Sequence, residues 1–431
     1  MNYREAERLL YSLISYERDK AKYQDFKLER FKSFLREISS PQEKLSNVVL
    51  IAGTKGKGST ATMLASALSA CGIKTGLFTS PHLLSWRERI RISGQMISKK
   101  DFCQILSSLL PKVKKYRLTF FETLTAIAFL YFLREKVEWT VLEVGLGGRL
   151  DATNVVSPRL AIITRIGFDH TELFGEDLLS IAKEKAGIIH PNSLVITFQQ
   201  KPEVLAVIKK TAREKDSEVI TENLISLKSL RLTKAGSQFK IKKNPHPFFL
   251  PLLGRHQVEN LELVLSALAR IKVGDERITW EKIGDGLANV YVPARCELIS
   301  QHPEIMVDCA HNPDSCLALR DVLKDIFKKK AIFVFGVARD KKVEEMLKIL
   351  SDVGSSFVFT QARHPRALNR EILASYGEKL NIKFTTEKSV GQAIKTALAQ
   401  QKREIVVITG SFYVVGEGMN SLGYRPAGIL S

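Results

Sequence analysis

The segment that most constrains this chain is Gly53-Thr-Lys-Gly-Lys-Gly-Ser-Thr60, set between the apolar run Val48–Ala52 and a stretch of helical periodicity from about Ser59. Five consecutive apolar residues read as a strand buried on both faces, and such strands belong in parallel sheets. In the stretch that follows, Met63, Leu64, Ala67, Leu68 and Cys71 share one helical face, and Gly72 is the stop signal. A glycine-rich turn between strand and helix lets backbone N–H groups approach an anion, and the helix N-terminus adds partial positive charge. Lys57 is then placed to reach the β- and γ-phosphates of a nucleotide, with Thr54, Lys55, Gly56 and Gly58 around them. The hydroxyls of Ser59 or Thr60 would contact phosphate or its Mg²⁺. The spacing departs from G-x-x-x-x-G-K-[ST], because two residues separate Gly53 from Gly56 and Gly58 parts lysine from serine. The competing reading is a tight turn with incidental lysines.

Further apolar runs at Val141–Val144, Leu160–Thr164 and Leu194–Thr197 alternate with helical stretches. That alternation predicts an α/β fold with a mostly parallel sheet. Residues 222–250 alternate apolar and polar positions and predict a short antiparallel excursion, followed by a helix over 256–271. Tyr291-Val-Pro-Ala-Arg295 reads as a connection between domains. After it, Ile305–Asp308, Ala331–Phe335, Ser356–Thr360 and Ile405–Thr409 predict a smaller, Rossmann-like doubly wound domain. The expected division is 1–292 for a phosphate-loop ATPase domain and 297–431 for the second domain, which suits 431 residues.

Charge and cysteine content narrow the function classes. The net charge of +19 favours anionic partners, but the basic residues are spread out. The densest clusters, KVKKYR at 112–117 and KKK at 328–330, read as solvated faces, so nucleic acid is not the expected partner. Five cysteines without a CxxC pair argue against a zinc site or a disulfide framework and fit a reducing cytoplasm. The N-terminus carries charges where a signal peptide needs an apolar stretch. Phe120–Leu133, the greasiest run, is interrupted by Glu122 and is too short for a membrane span, so a buried helix is expected.

Gly-Thr-Lys-Gly-Lys-Gly-Ser resembles the loop of the folylpolyglutamate and dihydrofolate synthases, within the wider Mur ligase group. The resemblance continues in order through Thr79-Ser-Pro-His-Leu83, Glu88-Arg-Ile-Arg91, Thr119-Phe-Phe-Glu122 and Glu143-Val-Gly-Leu-Gly-Gly-Arg-Leu-Asp-Ala-Thr-Asn154. Asp169-His-Thr171, Glu184-Lys-Ala-Gly-Ile188, Asp308-Cys-Ala-His-Asn-Pro313 and Gly410-Ser-Phe412 complete it. Each motif is weak alone; eight in register over most of the chain are specific.

The resemblance implies roles residue by residue. Ser80, Glu143 and His170 hold Mg²⁺, two ions being expected. Without it, His170 reads as a general base or a structural histidine. Lys185 is implied to be carbamylated; from sequence alone it reads as a lysine complementing a helix C-terminus ahead of Gly187. Thr119, Phe120, Phe121 and Glu122 are implied to cradle a pterin or benzoyl group, with Arg149, Leu150 and Asp151 also facing substrate. Asp25 and Phe26 resemble a segment that contacts dihydropteroate. Asn260 resembles the residue that reads adenine, Arg295 the linker arginine at the nucleotide phosphates, and Asp308 the ribose ligand. His311 falls on the glutamate side. Two departures stand out: Pro293-Ala-Arg295 where the family shows Pro-Gly-Arg, and Asp340-Lys-Lys342 where Asp-Lys-Asp is common.

The implied activity is ATP-dependent ligation of L-glutamate to dihydropteroate, to folates, or to both, through an acyl phosphate that closure of the domains shields from water. Both additions are expected; folate extension alone is the alternative. The protein is expected to be a cytoplasmic monomer with small-molecule partners and no membrane partner. A cell-wall Mur ligase and a basic nucleic-acid-binding protein are the rival readings.

Overall fold

The computed structural model describes residues 1–15, 28–169, 171–175, 177–242 and 244–425. The apolar runs become strands at the centres of two separate sheets. The first collects β1 (Val48–Ala52), β2 (Thr75–Phe78), β3 (Ile90–Ile92), β4 (Gln95–Met96), β5 (Trp139–Glu143), β6 (Leu160–Ile163), β7 (Leu194–Thr197) and β8 (Glu218–Ile220). Its order is β4-β3-β2-β5-β1-β6-β7-β8. The six strands from β2 to β8 in that order run parallel, and β3 and β4 add an antiparallel edge. β1 and β5 are buried at every position, as strands covered on both faces must be.

The alternating segment forms β9 (Leu227–Thr233), β10 (Gly236–Ile241) and β11 (Asn244–Leu250), with β10 in the middle. The helix expected next spans Arg255–Ile271. A six-stranded sheet follows, made of β12 (Glu297–Gln301), β13 (Glu304–Val307), β14 (Ala331–Phe335), β15 (Gly354–Phe359), β16 (Phe384–Thr386) and β17 (Ile405–Thr409) in the order β12-β13-β17-β14-β15-β16. It is parallel except at β12, which pairs antiparallel with β13.

The chain divides into two compact units. One comprises Met1–Lys228, Lys240–Phe248 and Glu259–Val290, and the other Ser229–Phe239, Phe249–Val258 and Tyr291–Ser431. Each has its own apolar core. The greasy run forms the helix Phe120–Arg134, buried in the first core. Its interruption has a reason: Glu122 completes a capping box with Thr119 at the helix start. No helix among the described residues is long and apolar enough to cross a membrane.

The strand order locates the site. From β1 the chain proceeds to β2 on one side of the sheet, and from β6 to β7 on the other. β1 and β6 are neighbours, so their outgoing loops diverge above the carboxyl edge, the crevice where α/β sheets bind ligands.

Candidate active site

The loops that diverge there are Gly53–Gly56 and Thr164–Asp169. The Thr54 N–H donates to the Arg165 carbonyl at 2.9 Å, and its hydroxyl lies 3.0 Å from both Gly167 N and O. Lys55 pairs with Asp169 at 3.5 Å. Gly56 caps the helix Lys57–Ala70 with φ of 87° and no side-chain cap bond. The first-turn amides are thus left for an anion. A side chain at Gly56 is opposed by the positive φ and also because a Cβ there would fall 2.1 Å from Asn260 Oδ1, so Asn260 would have to shift. Asn260, 6% exposed on the helix Arg255–Ile271, therefore sits against the phosphate loop. Ser59 and Thr60 are buried in the first helical turn.

Two lysines meet on one carbonyl. Lys57 Nζ donates to Gly53 O at 3.1 Å, and Lys185 Nζ donates to the same oxygen at 3.0 Å. Lys185 is 6% exposed. Burial, reinforced by the neighbouring Lys57 charge, brings its amine down from 10.5 to about 7, because an ammonium loses hydration there. Glu143 ends β5 at 4% exposure and accepts the Ser80 N–H at 2.9 Å. Gly58 passes so close that a Cβ on it would lie 3.3 Å from each carboxylate oxygen.

The Ser80 loop is held by the motif that follows it. Glu88 accepts the N–H groups of Leu83, Leu84 and Ser85 at 2.9, 2.8 and 2.6 Å. Arg89, fully buried, donates through Nε to His82 Nδ1 at 2.9 Å and lies 5.2 Å from the Phe120 ring centre. Phe120 is 3% exposed and stacks on Tyr11 at 6.0 Å, while the half-buried Phe121 packs on Phe78 at 5.6 Å. Glu122 is engaged by Arg30 at 2.7 and 2.8 Å as well as by its cap. The Asp151 carboxylate holds its own loop, accepting Leu146 N, Thr153 N and Thr153 Oγ1 at 2.9, 2.9 and 2.6 Å. Burial raises its pKa. Arg149 is exposed and pairs with Glu184 at 2.9 Å; Leu150 is half-buried.

The second unit carries its own cluster. Asp308 follows β13, 7% exposed, and accepts Cys296 N at 2.7 Å and Ala310 N at 2.8 Å. Burial raises its pKa, with the Arg295 charge opposing. Arg295 lies 5.3 Å from the Phe412 ring centre, and the His311 ring lies 5.6 Å from the same ring. His311 Nδ1 is 2.8 Å from Cys309 O. The alanine noted in the linker adopts φ of 52°, a left-handed conformation that glycine would hold without strain.

Thr54 to Thr60, Ser80, Glu143, Lys185 and Asn260 thus gather in the first unit. Asp25, Phe26 and His170 lie outside the described residues. Among the described residues no group of three or more His, Cys, Asp or Glu side chains forms a metal-holding cluster. Sequence reasoning gave no role to Arg30, Arg89 or Phe412. Arg89 and Phe412 were visible as motif members. Arg30 had no signal, since its partner is 92 residues away.

Family models of the Mur ligase middle domain and of the Mur ligase glutamate ligase domain match residues 51–268 and 294–412. Fold and site therefore define a Mur ligase, an ATP-dependent ligase. The dihydrofolate synthase/folylpolyglutamate synthase of Bacillus subtilis (strain 168) is 33% identical over 404 residues, 90% of this chain and 93% of that one. Within the Mur ligases, the chain belongs to the dihydrofolate synthase/folylpolyglutamate synthase family. A Mycobacterium tuberculosis folylpolyglutamate synthase complexed with ADP matches with a TM-score of 0.89 at 31% identity, over 98% of this chain and 99% of that one. Escherichia coli FolC in complex with DHPP and ADP matches with a TM-score of 0.82 at 28% identity, over 98% of each.

Proposed function

We propose that this chain attaches L-glutamate to dihydropteroate and to folates, with ATP activating the acceptor carboxylate as an acyl phosphate. The observation that carries the reading is the convergence of Lys57, Lys185 and Glu143 around the start of the phosphate-loop helix. The uncapped amides of that helix and Lys57 bind the triphosphate and offset charge on the γ-phosphoryl group as it passes to the carboxylate. Asn260 contacts the base, and Asp308 and Arg295 hold ribose and phosphates. The glutamate amine then attacks the acyl carbon and expels phosphate; His311 belongs to that side. Thr119, Phe120, Phe121, Arg149 and Leu150 are assigned to the pteroate side, Glu122 and Asp151 acting there through the helix cap and loop they secure.

The donor set suits Mg²⁺, which takes oxygen ligands: the Glu143 carboxyl group is buried at the end of its strand, and Ser80 stands beside it. When bound, Mg²⁺ supplies charge neutralisation at the transferring phosphoryl group, with His170 and a carbamate on Lys185 as further ligands and two ions in all. A buried amine at about 7 has the free lone pair that carbamylation requires: nitrogen attacks the carbon of CO₂, and the departing proton leaves an anionic carbamate. The reading places the protein in the cytoplasm as a monomer, in keeping with a cysteine spacing that offers no CxxC pair.

ADP release measured with dihydropteroate or tetrahydrofolate, each with and without L-glutamate, tests the proposal. Glutamate-dependent release with both acceptors is expected. Release with tetrahydrofolate alone reduces the activity to folate extension, and release indifferent to glutamate refutes the reading.

A further inference from the structure

Lys185 stands in the last turn of the helix Leu178–Ala186, whose C-cap is Gly187. A buried amine that must meet Gly53 O at 3.0 Å tolerates little rotation of the turn that carries it. The loop Gly145–Asp151 lies against that turn, backbone to backbone. Arg149 N–H donates to Glu184 O at 2.9 Å. A Cβ on Gly148 would fall 2.4 Å from Glu184 O and 3.0 Å from Lys185 Cα, and one on Gly187 would fall 2.5 Å from Arg149 Cβ. Both glycines are therefore demanded by closeness.

Asn154 closes this contact. Its amide nitrogen donates to Arg149 O at 3.1 Å and to Gly187 O at 3.0 Å, one carbonyl from each of the two segments. With both amide hydrogens used, the carboxamide oxygen faces His190 Nε2 at 2.9 Å. An amide oxygen only accepts, so His190 is the donor and carries its proton on Nε2. Asn154 is 7% exposed, so none of these bonds is readily replaced by water.

We propose that Asn154, held in place by His190, is the positioning residue for Lys185. It clamps the last turn of the lysine's helix against the Gly145–Asp151 loop and so keeps the amine on the Gly53 carbonyl. This rests on the reading that Lys185 serves the reaction. It gives the terminal Asn of the Asp151-Ala-Thr-Asn154 motif a task distinct from substrate contact.

Competitive acetylation of lysines in the full chain, read by mass spectrometry peptide by peptide, measures access to the Lys185 amine without turnover. In Asn154→Ala, Lys185 labelling is expected to rise about fivefold or more. Labelling of Lys341, whose side chain is 14% exposed in the other unit, stays constant. In the same variant kcat falls about tenfold or more while KM for ATP stays within about twofold, the signature of misplacement. His190→Ala moves both readouts the same way, and His190→Gln, which can still donate to Asn154, restores them. Unchanged Lys185 labelling in Asn154→Ala overturns the clamp. Should that variant not fold, equal labelling in His190→Ala and His190→Gln overturns it instead. Lys185→Ala tests the underlying reading separately: full activity there refutes the lysine's role, while labelling still decides the clamp.

Discussion

Replacing Gly58 by alanine sets helix stability against the geometry of Glu143. Gly58 is the second residue of the helix Lys57–Ala70 and has no positive φ. On propensity alone, alanine there stabilises by about 0.5–1 kcal/mol. The new Cβ, however, would lie 3.3 Å from both Glu143 carboxylate oxygens, a few tenths of an ångström inside ordinary contact. Glu143 is 4% exposed and bonded to Ser80 N at 2.9 Å, so it can retreat only by loosening that bond. A hydrogen bond to a charged acceptor contributes about 1.5–3 kcal/mol. A partial loss roughly offsets the helical gain, and Tm is expected to move by less than about 5 °C. The carboxylate itself is displaced, and on the proposed role of Glu143 as a Mg²⁺ ligand such a disturbance weakens metal binding by about 10–100-fold. Steady-state ligation rates titrated with Mg²⁺, alongside thermal melts, test this. The half-saturating Mg²⁺ concentration should rise about tenfold or more at nearly constant Tm. A Mg²⁺ curve that overlays the wild type would refute the claim that Gly58 exists to make room for Glu143.

Ala294→Gly relieves a left-handed alanine at φ of 52°; after the extra chain entropy of glycine, a gain of up to about 1 kcal/mol is expected, and a lower Tm contradicts it. Lys185 titrates at about 7 folded against 10.5 unfolded. Between those values the unfolded chain holds a proton that the folded chain has shed, so stability rises with pH across that window, with the full penalty below 7. Lys185→Met should flatten the rise by up to ~1.4 kcal/mol per pH unit, and parallel denaturation curves would defeat the idea. Arg30→Met leaves Glu122, among the described residues, only its helix cap and should cost about 1–3 kcal/mol in urea unfolding, whereas no loss would mean that the ion pair contributes nothing.

Strands were legible where burial on both faces forces an unbroken apolar run, as at β1, β7, β14 and β17. β3, β8 and β16 were not, because a run as short as Ile90-Arg-Ile92 or Glu218-Val-Ile220 establishes no period and is selected by pairing alone. In the site, the phosphate loop could be read locally because strand, turn and helix are contiguous. The meeting of Lys185 with Gly53 could not, since 132 residues separate them and periodicity carries no long-range pairing. Glu122 and Asp151 show a subtler limit. Both lie in motifs that point to substrate, yet their carboxylates bond to backbone and neighbours, a division of labour that only coordinates reveal.

Three of the four outermost strands of the two large sheets, all but the five-residue β12, have a consequence for how this chain meets its own copies. β4 is two residues long, and β8 and β16 are three. An edge that short offers an approaching strand too few unpaired backbone groups to align on. At high concentration, association through sheet extension is therefore starved of a template at these three edges. Contacts between copies there must draw on helix and loop surfaces, where lysine and arginine outnumber the acids 65 to 46 over the whole chain and like charge keeps copies apart.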